Sequence, residues 1–139
     1  MPNLNMTLPE LFDLFAQQQN WQARYRQLIH LAKLLPAFPQ ADKIARYHIA
    51  GCENNVWLKT ERVADHTFQF SGDSDSRIVK GLLAILITLA QGKTAAEIVN
   101  MPFKQQFQQL KISEGLSESR LLGLDKLIVY LIDSVNYSL

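Results

Sequence analysis

The feature that most constrains the fold is an apolar segment, residues 82–90, inside a longer helical pattern. Almost every residue of this segment is apolar, whichever side of a helix it would face. A helix that is apolar all round is buried in a core or spans a membrane, and a span needs about 20 apolar residues. The segment is far shorter than that, so we expect a helix over residues 76–91 to form the buried centre of a globular fold. Gly92 is typical of its C-terminal end.

Capping residues and alternating apolar residues place the other elements around this helix. Thr7 and Asn20 are typical helix caps, and the segment 67–70 alternates as a half-buried strand does. We therefore expect an α+β fold, in which several helices cover a small antiparallel sheet, within one domain over residues 1–139. The predicted helices are 8–19, 21–35, 76–91, a short one after Thr94, 103–110 and 120–136; the predicted strands are 56–63 and 67–70, with turns at 64–66 and 71–75.

Composition and charge exclude several classes of protein. The chain has 139 residues, a net charge of +1 and no cluster of basic residues, which argues against nucleic acid or an anionic membrane as the main partner. The N-terminus lacks the basic and apolar blocks of a signal peptide. One cysteine cannot form an internal disulfide framework, and a lone thiol suits a reducing compartment. We therefore expect a cytoplasmic protein.

That single cysteine, Cys52, is the strongest candidate for chemistry. Gly51 precedes it, and the polar residues Glu53, Asn54 and Asn55 follow it before an apolar strand begins. Glycine and asparagine favour a turn, so we expect Cys52 at an exposed turn. A free cysteine is often a small buried apolar residue, and that alternative stays open. The acidic neighbour Glu53 would raise the pKa of the thiol, which suits a group acceptor better than a hydrolytic nucleophile.

Other chemistries have little support in the sequence. His48 lies four residues before Cys52, but Gly51 discourages the helix that would bring the two together, so a Cys–His dyad is disfavoured. One cysteine and three scattered histidines lack the paired spacing of metal ligands, and we expect no metal site. Arg120 lies near the start of a predicted helix, where its charge opposes the helix dipole, so capping does not explain it.

Several blocks of residues, in a fixed order, resemble one known family. The segment 49–58, Ile-Ala-Gly-Cys-Glu-Asn-Asn-Val-Trp-Leu, is similar to the cysteine loop of the SufE/CsdE sulfur-acceptor proteins. The segments 72–84, 92–97 and 119–124 and the helix from Trp21 also match. The residues after the cysteine and the 92–97 block resemble the CsdE branch more than SufE proper. The sequence departs from the family pattern at Asn55, where we expect Arg or Gln, and at residues 121–122.

The resemblance implies a fold similar to the scaffold proteins of iron–sulfur cluster assembly. It also implies that Cys52 accepts sulfur as a persulfide from a SufS- or CsdA-like cysteine desulfurase, stimulates that enzyme, and passes the sulfur to a further acceptor or scaffold. Pyridoxal phosphate would belong to the desulfurase, and this chain would need no cofactor. On this hypothesis Gly51, Glu53, Asn54 and Asn55 shape the loop, whereas Asp75, Arg77 and Arg120 lie at the rim of the docking face.

Two other functions remain open at this stage. A non-catalytic module that stimulates a partner allosterically would not need the thiol. An independent thiol reductase or peroxidase would need a Cys52 thiol of low pKa.

Overall fold

The apolar segment 82–90 lies within a buried helix, Arg77–Ala90, as predicted. The computed structural model describes residues 6–52 and 54–137, and in these ranges six α-helices surround a two-stranded antiparallel sheet. The predicted α+β class is therefore confirmed. The elements are α1 (Leu8–Ala16), α2 (Trp21–Leu34), β1 (Val56–Arg62), β2 (Phe68–Ser74), α3 (Arg77–Ala90), α4 (Ala95–Val99), α5 (Phe103–Gln109) and α6 (Glu118–Tyr137).

Helices α1, α2 and α4 begin where their capping residues predict, whereas α6 begins at Glu118, two residues before its predicted start. Thr7 and Glu10 form a capping box at α1, and Thr94 and Glu97 form another at α4. Asn20 caps α2 through its side-chain oxygen. Each cap accepts a hydrogen bond from a backbone N–H that has no partner within the helix. The ends are less accurately predicted, because α1 stops at Ala16 and α2 at Leu34.

The prediction of a turn over residues 71–75 was wrong, because the second strand continues through most of this segment. β2 continues to Ser74, and Gly72 pairs with Leu58 of β1. A Cβ atom at position 72 would lie 2.6 Å from the Trp57 carbonyl oxygen and 2.9 Å from Leu83 Cδ2. Glycine is needed here because β1 and α3 approach the backbone closely, and no turn is formed.

The predicted hairpin turn is confirmed at Ala64–His66. Asp65 and His66 take positive φ angles of 63° and 58°, so the chain reverses without a glycine. Aspartate and histidine tolerate this conformation better than most residues do.

The helix α3 lies between the sheet and α2. Helix α2 crosses α3 so closely that a Cβ atom at Gly81 would collide with the carbonyl oxygen of Leu28. On the other side, α3 packs against β2, and α6 packs against β1. Within the described ranges, every helix is too short or too polar to cross a membrane.

Candidate functional site

Cys52 lies in the loop that connects a short 3-10 turn, Ala45–Tyr47, to β1. The loop is closed at its base, because the Ile49 N–H donates to the Val56 carbonyl at 2.9 Å. His48 also forms an isolated bridge with Trp57 beside this bond. Ile49 and Val56 are buried. The core therefore fixes the base of the loop that carries the cysteine.

The loop holds the thiol partly inward, which differs from the exposed turn that we predicted. Gly51 is exposed and turns the chain with a φ of 83°, where glycine is favoured. The Cys52 side chain that follows is half-buried and packs against the core. Predicting exposure for Cys52 was wrong, because α3 and α6 supply an apolar surface that the flanking polar residues do not reveal.

A small pocket, about 20 Å³ in volume, lies beside the Cys52 side chain. A volume of this size has room for roughly one water molecule. Most of its wall is apolar and comes from α3 and α6, and two predicted site residues, Asn54 and Arg120, complete it. The residues that line it are Cys52, Asn54, Val79, Leu82, Ser119, Arg120, Gly123, Leu124 and Leu127.

Burial and one lysine act on the Cys52 thiol in opposite directions. Burial raises the pKa of Cys52, and the positive charge of Lys126 lowers it by a smaller amount, so the pKa stays above its ordinary value. Lys126 comes from α6, and its ammonium donates a hydrogen bond to the Gly51 carbonyl oxygen at 2.6 Å. The free protein therefore keeps Cys52 mostly protonated near neutral pH.

At the other end of the loop, Asn55 forms hydrogen bonds with Ser74 and Asp75, just before α3 begins. Its backbone N–H donates to Asp75 Oδ1 at 3.2 Å, and its side-chain amide donates to Asp75 Oδ2 at 3.0 Å. Its carbonyl accepts from the Asp75 N–H at 3.2 Å and from the Ser74 hydroxyl at 2.8 Å. Asn55 was predicted to shape the loop and Asp75 to lie on a docking rim, and the fold brings these two residues together.

His48 interacts with the hydrogen bonds between Asn55 and Asp75, which we call the Asn55–Asp75 brace. Its Nε2 lies 3.1 Å from Asn55 Oδ1, and its ring packs edge-on against Trp57. Because the Asn55 amide nitrogen donates to Asp75, Oδ1 is the acceptor and His48 Nε2 carries the proton. This contact with Asn55 supports the prediction that His48 and Cys52 do not form a catalytic dyad.

Comparison with known proteins identifies the family of this chain. Residues 9–134 match the SufE family, described as an "Fe-S metabolism associated domain". The chain belongs to the SufE family. The predicted resemblance is confirmed, and a match to CsdE supports its placement nearer to the CsdE branch.

The relatives of this SufE-family chain match most of its length. It is 44% identical over 122 residues to the "Sulfur acceptor protein CsdE" of Escherichia coli, which covers 88% of this chain and 83% of the relative. An uncharacterized SufE-like protein of Haemophilus influenzae is 41% identical over 118 residues, with coverages of 84% and 93%. A solution structure of a hypothetical protein from Thermus thermophilus shares the fold, with a TM-score of 0.74 at 17% identity and coverages of 95% and 97%.

The remaining predicted residues of this SufE-family chain lie around the same loop. Arg77 is exposed at the first turn of α3, two residues after Asp75. Arg120 is half-buried and lines the pocket, so it lies closer to the thiol than a rim residue would. Glu53 lies outside the described residues. No group of three metal-ligating side chains occurs within residues 6–52 and 54–137.

Lys126 is the site residue that the sequence did not predict. It lies 75 positions after Gly51, and the α6 pattern marks it only as an exposed position beside the apolar residue Leu127. A charge at the edge of an apolar helix face is ordinary, so no signal in the sequence distinguished this lysine from the others. Only the packing of α6 beside the loop reveals its contact with Gly51.

Proposed function

We propose that this chain is a sulfur acceptor, which takes sulfur from the persulfide of a cysteine desulfurase onto Cys52. The observation that carries the proposal is the setting of the thiol: the single cysteine of the chain lies in a loop with a small, mainly apolar pocket beside its side chain. The similarity to CsdE, which is named a sulfur acceptor protein, supports the same role.

The proposed step is an exchange between sulfur atoms. The Cys52 thiolate attacks the outer sulfur of the donor's persulfide, and a new S–S bond forms on Cys52. The S–S bond of the donor breaks, and the donor's cysteine leaves as a thiolate. A thiol of the next acceptor then attacks the outer sulfur on Cys52 and returns Cys52 to the thiolate. The exchange needs one thiol on this chain and no external oxidant.

The pocket suits the product of the first step. A persulfide adds one sulfur atom to the side chain, and the pocket beside Cys52 has room for roughly one such group. Its apolar wall from α3 and α6 limits the approach of water and soluble reductants to the outer sulfur. The half-buried thiol must first move outward to reach a donor, so the loop has to open during transfer.

The partner in this proposal is a desulfurase that supplies its own pyridoxal phosphate, and the present chain stimulates it by removing sulfur. Asp75, Arg77 and Arg120 lie around the loop and form the proposed docking face. Downstream, the sulfur goes to an iron–sulfur scaffold or to another sulfur-using pathway. The lone thiol and its chemistry suit a cytoplasmic location.

The test is the intact mass of the protein after incubation with a purified cysteine desulfurase and L-cysteine. We expect a gain of one sulfur atom, which is lost on treatment with a reductant and absent in the variant Cys52→Ser. Serine preserves the size of the side chain but cannot form a persulfide. Thermal unfolding of the variant serves as the control for an intact fold.

The rate of the desulfurase in the same reactions distinguishes acceptance from allosteric stimulation. We expect Cys52→Ser to lose the stimulation together with the sulfur gain. Full stimulation by a folded Cys52→Ser variant would refute the covalent role and favour a non-catalytic binding module.

A further inference from the structure

One face of α6 makes a row of polar contacts with the segment around the cysteine. Lys126, Tyr130 and Ser134 lie four residues apart, so they share a face of the helix. Lys126 donates to the Gly51 carbonyl at 2.6 Å, and the Tyr130 hydroxyl donates to the Arg46 carbonyl at 3.1 Å. The Ser134 and Thr60 hydroxyls lie 2.7 Å apart, which ties α6 to β1.

The contact of Lys126 differs from the others because it reaches the loop that carries Cys52. The Gly51 carbonyl and the Cys52 N–H belong to the same peptide unit. Tyr130 and Ser134 contact Arg46 and Thr60, which lie outside the loop that the Ile49–Val56 hydrogen bond closes. Lys126 therefore holds the peptide that carries the thiol.

The geometry of Gly51 makes the contact specific. A Cβ atom at position 51 would lie 2.6 Å from Lys126 Nζ, so the absence of a side chain lets the ammonium approach the backbone. The positive φ of Gly51 belongs to the same turn. Lys126 is an exposed residue, so apolar packing contributes little to its position.

We propose that Lys126 is a clamp on the cysteine loop, which holds the Gly51–Cys52 peptide in the retracted position through its hydrogen bond to the Gly51 carbonyl. When this bond breaks, only the Asn55–Asp75 brace and the Ile49–Val56 bond still hold the loop at its two ends, so the amide hydrogen bonds of Asn55 and Ile49 open more often. Lys126 is a positioning residue in this inference, because it acts on Cys52 through the backbone. The link between opening and transfer rests on the proposed function, but the clamp itself does not.

Hydrogen–deuterium exchange of the free protein tests the clamp at one fixed pH. In Lys126→Met, the side chain keeps most of its length but loses the donor, so the loop should open more often. We expect amide exchange in a peptide covering residues 49–56 to become about three- to fivefold faster, as for the loss of an exposed charged contact. Unchanged exchange in this peptide would overturn the proposal.

Two further variants separate the clamp from a general loss of charge or stability. Lys33→Met removes an exposed lysine on α2 and should leave the exchange of the loop unchanged. Lys126→Arg restores a donor and should bring exchange back toward that of the unmodified protein. Equal acceleration in Lys33→Met, or in peptides from α3, would also contradict a local clamp. No desulfurase is present, so this test can fail while the sulfur gain on Cys52 stands.

Discussion

At the scale of single residues, two effects act on the pKa of the Cys52 thiol in opposite directions. Burial raises the pKa of the thiol, and Lys126 partly offsets that rise. A peroxidase or thiol reductase works with an exposed thiolate of low pKa, which this environment does not provide. An acceptor can be protonated at rest, because the thiolate is needed only when a donor persulfide is in place.

The variant Lys126→Met should raise the pKa of Cys52 further, because it removes the positive charge that lowers this pKa. The measurement is the rate of alkylation by iodoacetamide as a function of pH, since the thiolate is the reactive form. We expect the midpoint of the profile to move to higher pH. While the loop stays closed most of the time, more frequent opening changes mainly the height of the profile; a loop that stayed open would lose the burial that raises this pKa and would move the midpoint to lower pH.

Lys33→Met serves as the matched control for this profile, because it removes a lysine from the exposed surface of α2. Its midpoint should equal that of the unmodified protein. A midpoint in Lys126→Met that stays the same would contradict an electrostatic effect of Lys126 on the thiol, and a midpoint that moves to lower pH would show that lost burial outweighs that effect.

The place of Cys52 in a loop was predictable, but its surroundings were not. A lone cysteine after glycine and before polar residues marked Cys52 as a loop thiol. The Asn55–Asp75 brace joins residues 20 positions apart, and the Lys126–Gly51 contact joins residues 75 positions apart. Neither follows from local pattern, because each depends on how α3 and α6 pack beside the loop.

At the scale of elements, the crossing of α2 and α3 depends on one glycine. Gly81 lies in the middle of α3, where glycine normally weakens a helix. Here it lets the Leu28 backbone of α2 approach α3 without a side chain between them. The cost to the helix is offset by the close packing of two buried elements.

The variant Gly81→Ala should therefore lower the free energy of unfolding, by about 1–3 kcal/mol, because backbone atoms have to move apart. Gly123→Ala is the matched control, since Gly123 is also helical but has open space around its Cβ position. It should be neutral or stabilise the protein by about 0.5–1 kcal/mol. Chemical unfolding measures both, and a neutral Gly81→Ala variant would contradict the close crossing.

The elements themselves were largely predictable because their signals are local. The caps Thr7, Asn20 and Thr94 mark helix starts, and the apolar residues of α3 mark a buried helix. The predicted end of β2 was wrong because glycine is common in turns, and Gly72 therefore indicated a turn in the sequence. Its true role, a close approach to Trp57 and Leu83, depends on contacts that local sequence does not contain.

At the scale of the whole molecule, Asp73 joins three parts of the chain. It pairs with Lys43 at 3.0 Å, before the cysteine loop, and with Lys80 of α3 at 3.1 Å, while it belongs to β2 itself. Burial alone would raise the pKa of Asp73, but the hydrogen bonds from Lys43, Lys80 and the Ser74 N–H, with the charge of Lys80, together outweigh it and hold this pKa below its usual value. The charged form of Asp73 therefore stabilises the folded state.

The variant Asp73→Asn should lower the free energy of unfolding by about 1 kcal/mol near neutral pH, since both ion pairs remain partly open to solvent. A depressed pKa contributes stability above the unfolded pKa, which is about 3.9 for aspartate. That contribution is lost as the pH falls through the lower folded pKa. Urea unfolding at a series of pH values should therefore show the two proteins converging below about pH 4.

Asp65→Asn provides the control, because Asp65 is exposed in the hairpin turn and asparagine tolerates its positive φ. Its stability should follow that of the unmodified protein over the whole pH range. A loss in Asp73→Asn that stays constant as the pH falls would exclude the ion pairs as its cause.

The size of the pocket beside Cys52 has a consequence for stoichiometry. Each sulfur added in series lengthens the chain on the thiol by one atom, and the pocket of about 20 Å³ accommodates roughly one. A longer polysulfide would extend out of this pocket into solvent, where reductants and other thiols shorten it. If Cys52 carries sulfur as proposed, each protein molecule therefore delivers a single atom per cycle, however large the excess of donor.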